Sequence, residues 1–418
     1  MILSIGLAIL AVILTILYLY FSRPINYVVR MGELGFNLGP SDSTGTYRER
    51  QIERLKRLRK VGELPPVYPN GWFCIAESGE VKAKEIKAVI VFGEQLSLIR
   101  AEDGQVYLME SYCPHLGANL TVGGKVVDNN CVQCPFHGWV FSADSGKCVR
   151  IPYEKGSIPE QAKISTWPVV EKNRHIYVWY HCDGEMPHWE IPDIDEVESG
   201  SWPYRGRTEH ELLCHCQEIP ENGADLAHLN YLHLQIPQAG NNVMELKLNK
   251  TDPILHHFWD GGWEVKNGED EKHISIMTLQ QVMKIGDKAI PLTASLLKAH
   301  QIGPGIVYMH FDFGFWGRGI VFHHVTPEEP LFQRARFVLY GNINPLFARF
   351  FIKSEALQFE RDVYIWSNKR YVKSPLLCRS DGPVQKHRRW YAQFYSQNSP
   401  RLLPDGTVTG QVKSVLDW

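Results

Sequence analysis

"CPHLGANLTVGGKVVDNNCVQCPFHGW", residues 113–139, places Cys113 and His115 in a C-x-H pair and Cys134 and His137 in a C-x-x-H pair, one short spacer apart. Each pair sets a thiol beside an imidazole, so the four side chains make a two-plus-two donor set suited to a metal centre. Structural zinc, an iron–sulfur cluster and no metal at all are the alternatives for such a set. Zinc sites commonly use C-x-x-C and H-x-x-x-H pairs, whereas each loop here supplies one cysteine and one histidine. That mixture suits a two-iron cluster with both cysteines on one iron and both histidines on the other. Cys131 reads as a buried neighbour of this set.

Outward from these loops, residues 67–180 carry short β-type runs such as "AVIVFG" and "HIYVWY", separated by Gly, Asn and Asp turns. They predict a small antiparallel β domain with the cysteine–histidine loops at its tips. "ELPPVYPNGW" (Glu63–Trp72) breaks any helix ahead of it and marks a boundary. Over residues 181–418, strands ("GIVYMHFDFGFWG", "RARFVLYGNI") mix with a helical stretch ("SEALQFERDVYIWSNKRY"), which predicts an α+β domain. A chain of 418 residues fits two or three domains.

The N-terminus reads differently. Residues 2–21, "ILSIGLAILAVILTILYLYF", are uncharged and mostly apolar, and 20 helical residues match a bilayer core of roughly 30 Å. No basic residue precedes the run and no small-x-small cleavage site closes it, so residues 1–22 are expected to be a retained transmembrane anchor. Arg23 and Arg30 follow, which keeps the remainder cytosolic in a single-pass protein, most simply of the endoplasmic reticulum. Residues 23–66 are expected to form a basic juxtamembrane linker or helix. Its segment "TYRERQIERLKRLRK" (Thr46–Lys60) has a narrow apolar stripe of Ile52, Leu55 and Leu58, suited either to packing on the next domain or to an anionic membrane face. A net charge of −2 argues against a nucleic-acid partner, and nine scattered cysteines do not look like a secreted disulfide framework.

Residues 113–139 resemble the Rieske motif, and Gly117, Gly138 and Trp139 strengthen the match. The respiratory type of that motif carries two extra cysteines and a serine where this chain has Ala118, Phe136 and Trp139, so the resemblance is to the lower-potential centres of oxygenases and ferredoxins. "EIPENGADLAHLNYLHL" (Glu218–Leu234) in turn resembles the N-x-x-D-x-x-H-x-x-x-x-H segment of Rieske non-haem iron oxygenases. That resemblance implies a mononuclear Fe(II) held by His228, His233 and one carboxylate, for which Asp362 is the choice and Glu360 the reserve. His228 and His233 lie about 140° apart on an ideal helix, so the helix is expected to distort or end between them. The paired histidines His256–His257 and His323–His324 point to opposite faces of a strand and do not chelate one ion easily, and Cys214 and Cys216 read as core.

The blocks "PPVYPNGWF", "EIPENGADLAHL" and "DGPVQKHRRWYAQFY" resemble the cholesterol 7-desaturase (Neverland-type) group of that family. The resemblance implies an α+β helix-grip (START-like) catalytic domain beside the antiparallel β Rieske domain. It implies a [2Fe-2S] Rieske cluster, mononuclear iron, O2 and NAD(P)H-derived electrons delivered by a reductase, possibly through a ferredoxin. The implied substrate is a sterol, desaturated from cholesterol to 7-dehydrocholesterol. A homotrimer is also implied, in which Asp225 bridges one subunit's cluster to the next subunit's iron. Steroid hydroxylation is the alternative within the enzyme class, and a membrane-anchored Rieske electron carrier is the alternative outside it.

Overall fold

The structure, a computed structural model, describes residues 2–36, 38, 45–246 and 254–409. Residue 1 of the expected anchor, residues 37 and 39–44 of the expected linker and residues 247–253 and 410–418 of the expected catalytic domain lie outside the described residues. The chain opens with α1 (Ile2–Phe21), β1 (Ile25–Val29) and α2 (Gly45–Leu58).

The expected transmembrane anchor is corrected here: among the described residues no helix is long and apolar enough to cross a membrane. The C-terminal end of α1 is tied to the body of the protein, with the Arg349 guanidinium 5.9 Å from the Phe21 ring and donating to the Arg23 carbonyl at 3.4 Å. The single-pass, endoplasmic-reticulum placement built on that anchor falls with it. The expected linker is also not a mere spacer. Pro24 ends the helical run, and "INYVV" forms the edge strand β1, whose Ile25–Val29 pair in parallel with Gly206–His210. Of the α2 stripe only Ile52 is buried, while Leu55 and Leu58 are exposed; Arg59 just beyond donates to the carbonyls of Leu213 and Trp366.

Eleven short strands follow, all antiparallel: β2 (Gly71–Glu77), β3 (Glu85–Val91), β4 (Glu94–Arg100), β5 (Val106–Glu110), β6 (Lys125–Val127), β7 (Cys131–Gln133), β8 (Val140–Ser142), β9 (Cys148–Arg150), β10 (Thr166–Trp167), β11 (Val169–Lys172) and β12 (His175–Tyr180). They form sheets ordered β10-β5-β4-β3, β11-β12-β2 and β6-β7-β8-β9. β12 is buried at every position, which explains why its sequence is apolar and aromatic without alternation.

The second half contains α3 (Asp195–Glu198), β13 (Tyr204–Leu213), α4 (Glu218–Glu221), α5 (Leu226–Leu229), β14 (Leu255–Val265), β15 (Ile274–Ile285), β16 (Lys288–Ile302), β17 (Ile306–Asp312), β18 (Gly317–Glu329), β19 (Phe332–Ile343), α6 (Pro345–Asn368) and α7 (Gly382–Tyr391). Its strands build one sheet with β1, ordered β1-β13-β19-β18-β17-β16-β15-β14. The two faces of this sheet have different work, and strand alternation separates them. Tyr308, Ile320, Phe322, Val338 and Tyr340 pack with Trp72, Cys74, Tyr177 and Trp179 of the β2–β12 sheet in one core. Phe311, Val321, Phe337 and Leu339 face the other way, into a core shared with Ala348, Phe351, Ile352 and Phe359 of α6. Asn344 caps α6 by accepting from the amides of Leu346 and Phe347, and Pro345 fills its first turn, where a missing N–H is harmless. The helix thus lies along one face of a long antiparallel sheet, with a cavity between them.

Candidate metal centres and substrate cavity

The two cysteine–histidine loops have the same local build. Gly117 N–H donates to the Cys113 carbonyl at 2.9 Å and Gly138 N–H to the Cys134 carbonyl at 3.1 Å, and both glycines are left-handed (φ 71° and 74°). A residue four beyond each cysteine must turn the chain back sharply, which glycine does without steric cost. Cys113 and Cys134 are buried, and burial foremost, with the neighbouring thiol of Cys134, pushes the Cys113 thiol up to about 12. The imidazoles of His115 and His137 stand 4.6 Å apart, ring to ring. Trp139 stacks on His115 at 4.6 Å and anchors its indole N–H on the Tyr153 hydroxyl at 2.7 Å. His115 Nδ1 is buried and has no hydrogen-bond partner among the described residues, a costly state unless a ligand takes it. The donor set, the shared orientation of its loops and this orphaned nitrogen fit a two-iron cluster. All nine cysteines are free.

The second site lies at the broken helix. α4 stops at Asn222–Gly223, and α5 begins with Asp225 as its cap, the carboxylate accepting from His228 N–H at 3.4 Å. α5 ends at Asn230, so the helix does terminate between the two histidines, as their angular separation requires. Asn230 then clamps this turn to β14, donating to the Trp259 carbonyl at 2.7 Å and accepting from its N–H at 2.9 Å. His228, His233 and Asp362 each offer one ligand atom, all within 4.8 Å of one another. His233 Nε2 is 3.1 Å and His228 Nε2 3.9 Å from Asp362 Oδ1. Burial alone would depress the His233 imidazole, but Asp362 and the Gln358 side chain, 3.0 Å from Nδ1, leave it raised above the ordinary value. Two imidazoles and one carboxylate at this spacing fit a facial triad that leaves metal positions open.

Glu360 is not part of this group. It is fully buried beside His210 (3.2 Å) and Asn241, and these hydrogen bonds hold its carboxyl low although burial pushes the other way. The Asp225 carboxylate is half-exposed and 4.0 Å from His228 Nδ1, whose hydrogen-bond partner is the Asp225 backbone carbonyl. Two supporting residues escaped the sequence reading. Gln358 holds His233, and the fully buried Arg361 donates to the carbonyls of Gly240, Gln235 and Ile236, fastening the chain beyond His233 onto α6. The charged run Glu360–Asp362 between the apolar Phe359 and Val363 was the available signal.

His228, His233 and Asp362 open onto a cavity of about 740 Å³ between the sheet and α6, within the size range of small-molecule sites. Its wall is largely apolar, with Met277, Leu279, Leu297, Met309, Phe311 and Phe351 among the lining residues. The adjacent histidines separate by face as alternation requires: His323 lines the cavity, whereas His324 Nε2 meets the Tyr177 hydroxyl at 3.0 Å on the other side. His215 lies between the core residues Cys214 and Cys216 and meets the Pro66 carbonyl at 3.0 Å.

The family model of the Rieske [2Fe-2S] domain matches residues 71–168, and that of the 3-ketosteroid 9alpha-hydroxylase C-terminal domain matches residues 178–395. Dicamba monooxygenase bound to dicamba shares the fold, with a TM-score of 0.57 at 17% identity over 79% of this chain and 98% of that one. Pseudomonas putida CBB5 NdmA with caffeine does so with a TM-score of 0.56 at 17% identity over 77% and 89%. Fold and matched domains define an oxygenase carrying a Rieske [2Fe-2S] cluster and a separate mononuclear iron, supplied with O2 and reductase-derived electrons. Within that class the curated relatives are more specific. A cholesterol 7-desaturase of Caenorhabditis elegans is 55% identical over 98% of this chain and 97% of that protein. One of Xenopus laevis is 43% identical over 92% and 83%, and a probable 3-ketosteroid-9-alpha-monooxygenase oxygenase component of Rhodococcus rhodochrous is 30% identical over 81% and 83%. This chain belongs to the cholesterol 7-desaturase family of Rieske oxygenases.

Proposed function

We propose that this chain converts cholesterol to 7-dehydrocholesterol. One O2 and two electrons from NAD(P)H, delivered through a reductase, accept the two hydrogens removed at C7 and C8 together with two protons, and leave as two waters. The observation that carries the reading is the apolar cavity that ends on His228, His233 and Asp362, in a chain 55% identical to a cholesterol 7-desaturase. Cys113, His115, Cys134 and His137 would hold the Rieske cluster, and the three residues at the cavity would hold iron. The cluster supplies single electrons, and the iron supplies oxygen activation. The protein's own part is to bind the sterol away from water and to keep His228 and His233 in one tautomer, through the Asp225 carbonyl and Gln358.

The division of the chain near residue 180 and assembly as a homotrimer belong to the same reading. The catalytic sheet lies between the chain's own β2–β12 sheet and its own triad. Electron entry from a neighbouring subunit's cluster avoids that barrier, and the half-exposed Asp225 carboxylate is the group suited to receive it. Incubation of the purified protein with cholesterol, a reductase and NADPH tests the activity. A product two mass units lighter, with the ultraviolet absorption of a conjugated 5,7-diene, is expected; a product sixteen units heavier would instead make the chain a hydroxylase.

A further inference from the structure

The cavity wall has two polar bands with an apolar belt between them. Along β15 the inward residues are Ser275, Met277, Leu279 and Gln281, and the register pairs Ser275 with Gln301 and Gln281 with Ser295 on β16. Six residues separate the bands, about 20 Å at roughly 3.4 Å per residue. That matches an elongated ligand with one polar end.

Each band holds a buried nitrogen without a partner among the described residues, His257 Nε2 in one and His323 Nε2 in the other, and what separates the bands is enclosure. In the Gln281 band, Gln281 donates to His257 Nδ1 at 2.7 Å and accepts from Ser295 at 3.0 Å, and Leu292 nearby on the cavity wall is fully exposed, which marks the mouth. In the Ser275 band the row runs Ser275, Gln301, Val307, His323 across four strands. Ser275 is wholly buried and Gln301 nearly so, and His387 closes the end behind, 3.2 Å from Gln301 Oε1. Here Ser275 Oγ and His323 Nε2 are buried without a partner among the described residues. His323 stacks flat on Phe337 at 3.8 Å, which fixes the ring, and burial holds it neutral, near pKa 3. A neutral imidazole can accept from, or donate to, one hydroxyl. An unpaired polar atom at a dry, closed end is costly, whereas one at a mouth is met by water.

We propose that the sterol enters hydroxyl end first, and that His323 is the hydrogen-bond partner of that hydroxyl at the closed end of the cavity. The proposal rests on the sterol substrate inferred above. It makes His323 a binding and specificity residue: it selects a free hydroxyl over an esterified one, and it fixes how far the rings slide past the triad while the tail trails toward the mouth.

The test uses the full-length protein with its metals in place and measures equilibrium binding of radiolabelled cholesterol and of cholest-5-ene, which lacks the hydroxyl. Wild type is expected to prefer cholesterol by at least about tenfold, the scale of one buried hydrogen bond. His323→Phe keeps the stack on Phe337 and should bring the preference to within about twofold, with cholest-5-ene binding unchanged. His323→Leu replaces it should the phenylalanine variant not fold, and Gln281→Leu should leave the preference intact. A preference that survives at position 323, or that disappears in Gln281→Leu, overturns the seat. If wild type binds neither sterol, the substrate reading fails along with it; if wild type desaturates cholesterol while the His323 variants still discriminate, the seat alone is wrong.

Discussion

At the scale of single residues, the bridging role proposed for Asp225 can be separated from metal binding. Its carboxylate caps α5 and lies 4.0 Å from His228 Nδ1, but that nitrogen donates its hydrogen bond to the Asp225 backbone carbonyl. Asp225→Asn keeps the cap and the carbonyl and removes only the charge. The variant should therefore retain mononuclear iron and a Rieske centre that a reductase still reduces, while sterol turnover drops by at least about a hundredfold. Near-normal turnover would reject the bridging role, and loss of iron by metal analysis would make Asp225 a structural support. The candidate ligand pairs could be picked out in the sequence because each is local: C-x-H, C-x-x-H and the two histidines five residues apart. The preference for Asp362 over Glu360 came from the family resemblance and not from the pattern itself, because two positions on one helix differ by about 200° and packing decides which face meets the histidines. Gln358 and Arg361 were missed for the same reason, since their partners lie more than a hundred residues away.

At the scale of elements, the turn after His233 has little structure of its own, and Arg361 fastens it. The guanidinium gives hydrogen bonds to four carbonyls between Leu232 and Gly240 and one to Gln358, and its burial lowers its pKa to about 10. Arg361→Met fills similar space but leaves those buried acceptors unpaired, a loss of about 2–4 kcal/mol. Thermal unfolding should shift downward, and iron should dialyse away faster than from wild type while the Rieske spectrum is unchanged; equal loss of both metal signals would instead indicate global unfolding. The end of α5 between His228 and His233 could be read in advance from the spacing of those histidines. β1 could not, because five residues after a proline have no long period, and only the parallel register with β13 reveals their place.

At the scale of the whole molecule, the β-rich Rieske half is fixed to the back of the catalytic sheet by charge as well as by apolar packing. Arg207 of β13 meets Glu77 and Glu80, and Arg336 of β19 meets Glu80 at 3.3 Å and Glu209 at 2.8 Å. Sequence patterning separated the two halves but gave no sign of this contact, since charges on a strand ordinarily read as a solvated face. Burial alone would raise the Glu80 carboxyl, yet Arg336, Lys87 and Arg207 outweigh it and hold the group at about 2, against 4.5 unperturbed. A carboxyl depressed on folding stabilises the native state above its unfolded value and loses that contribution as pH falls toward the folded one. The docking of the two halves should therefore weaken between about pH 4.5 and pH 2. Arg336→Met removes the partner and leaves Glu80 and Glu209 under-paired in a partly buried site, at roughly 3 kcal/mol. Unfolding of that variant should start at lower temperature at neutral pH, and its loss of stability relative to wild type should shrink as the pH is lowered through that window. A deficit that stays constant with pH would mean that Arg336 acts through packing of its stem and not through the glutamates.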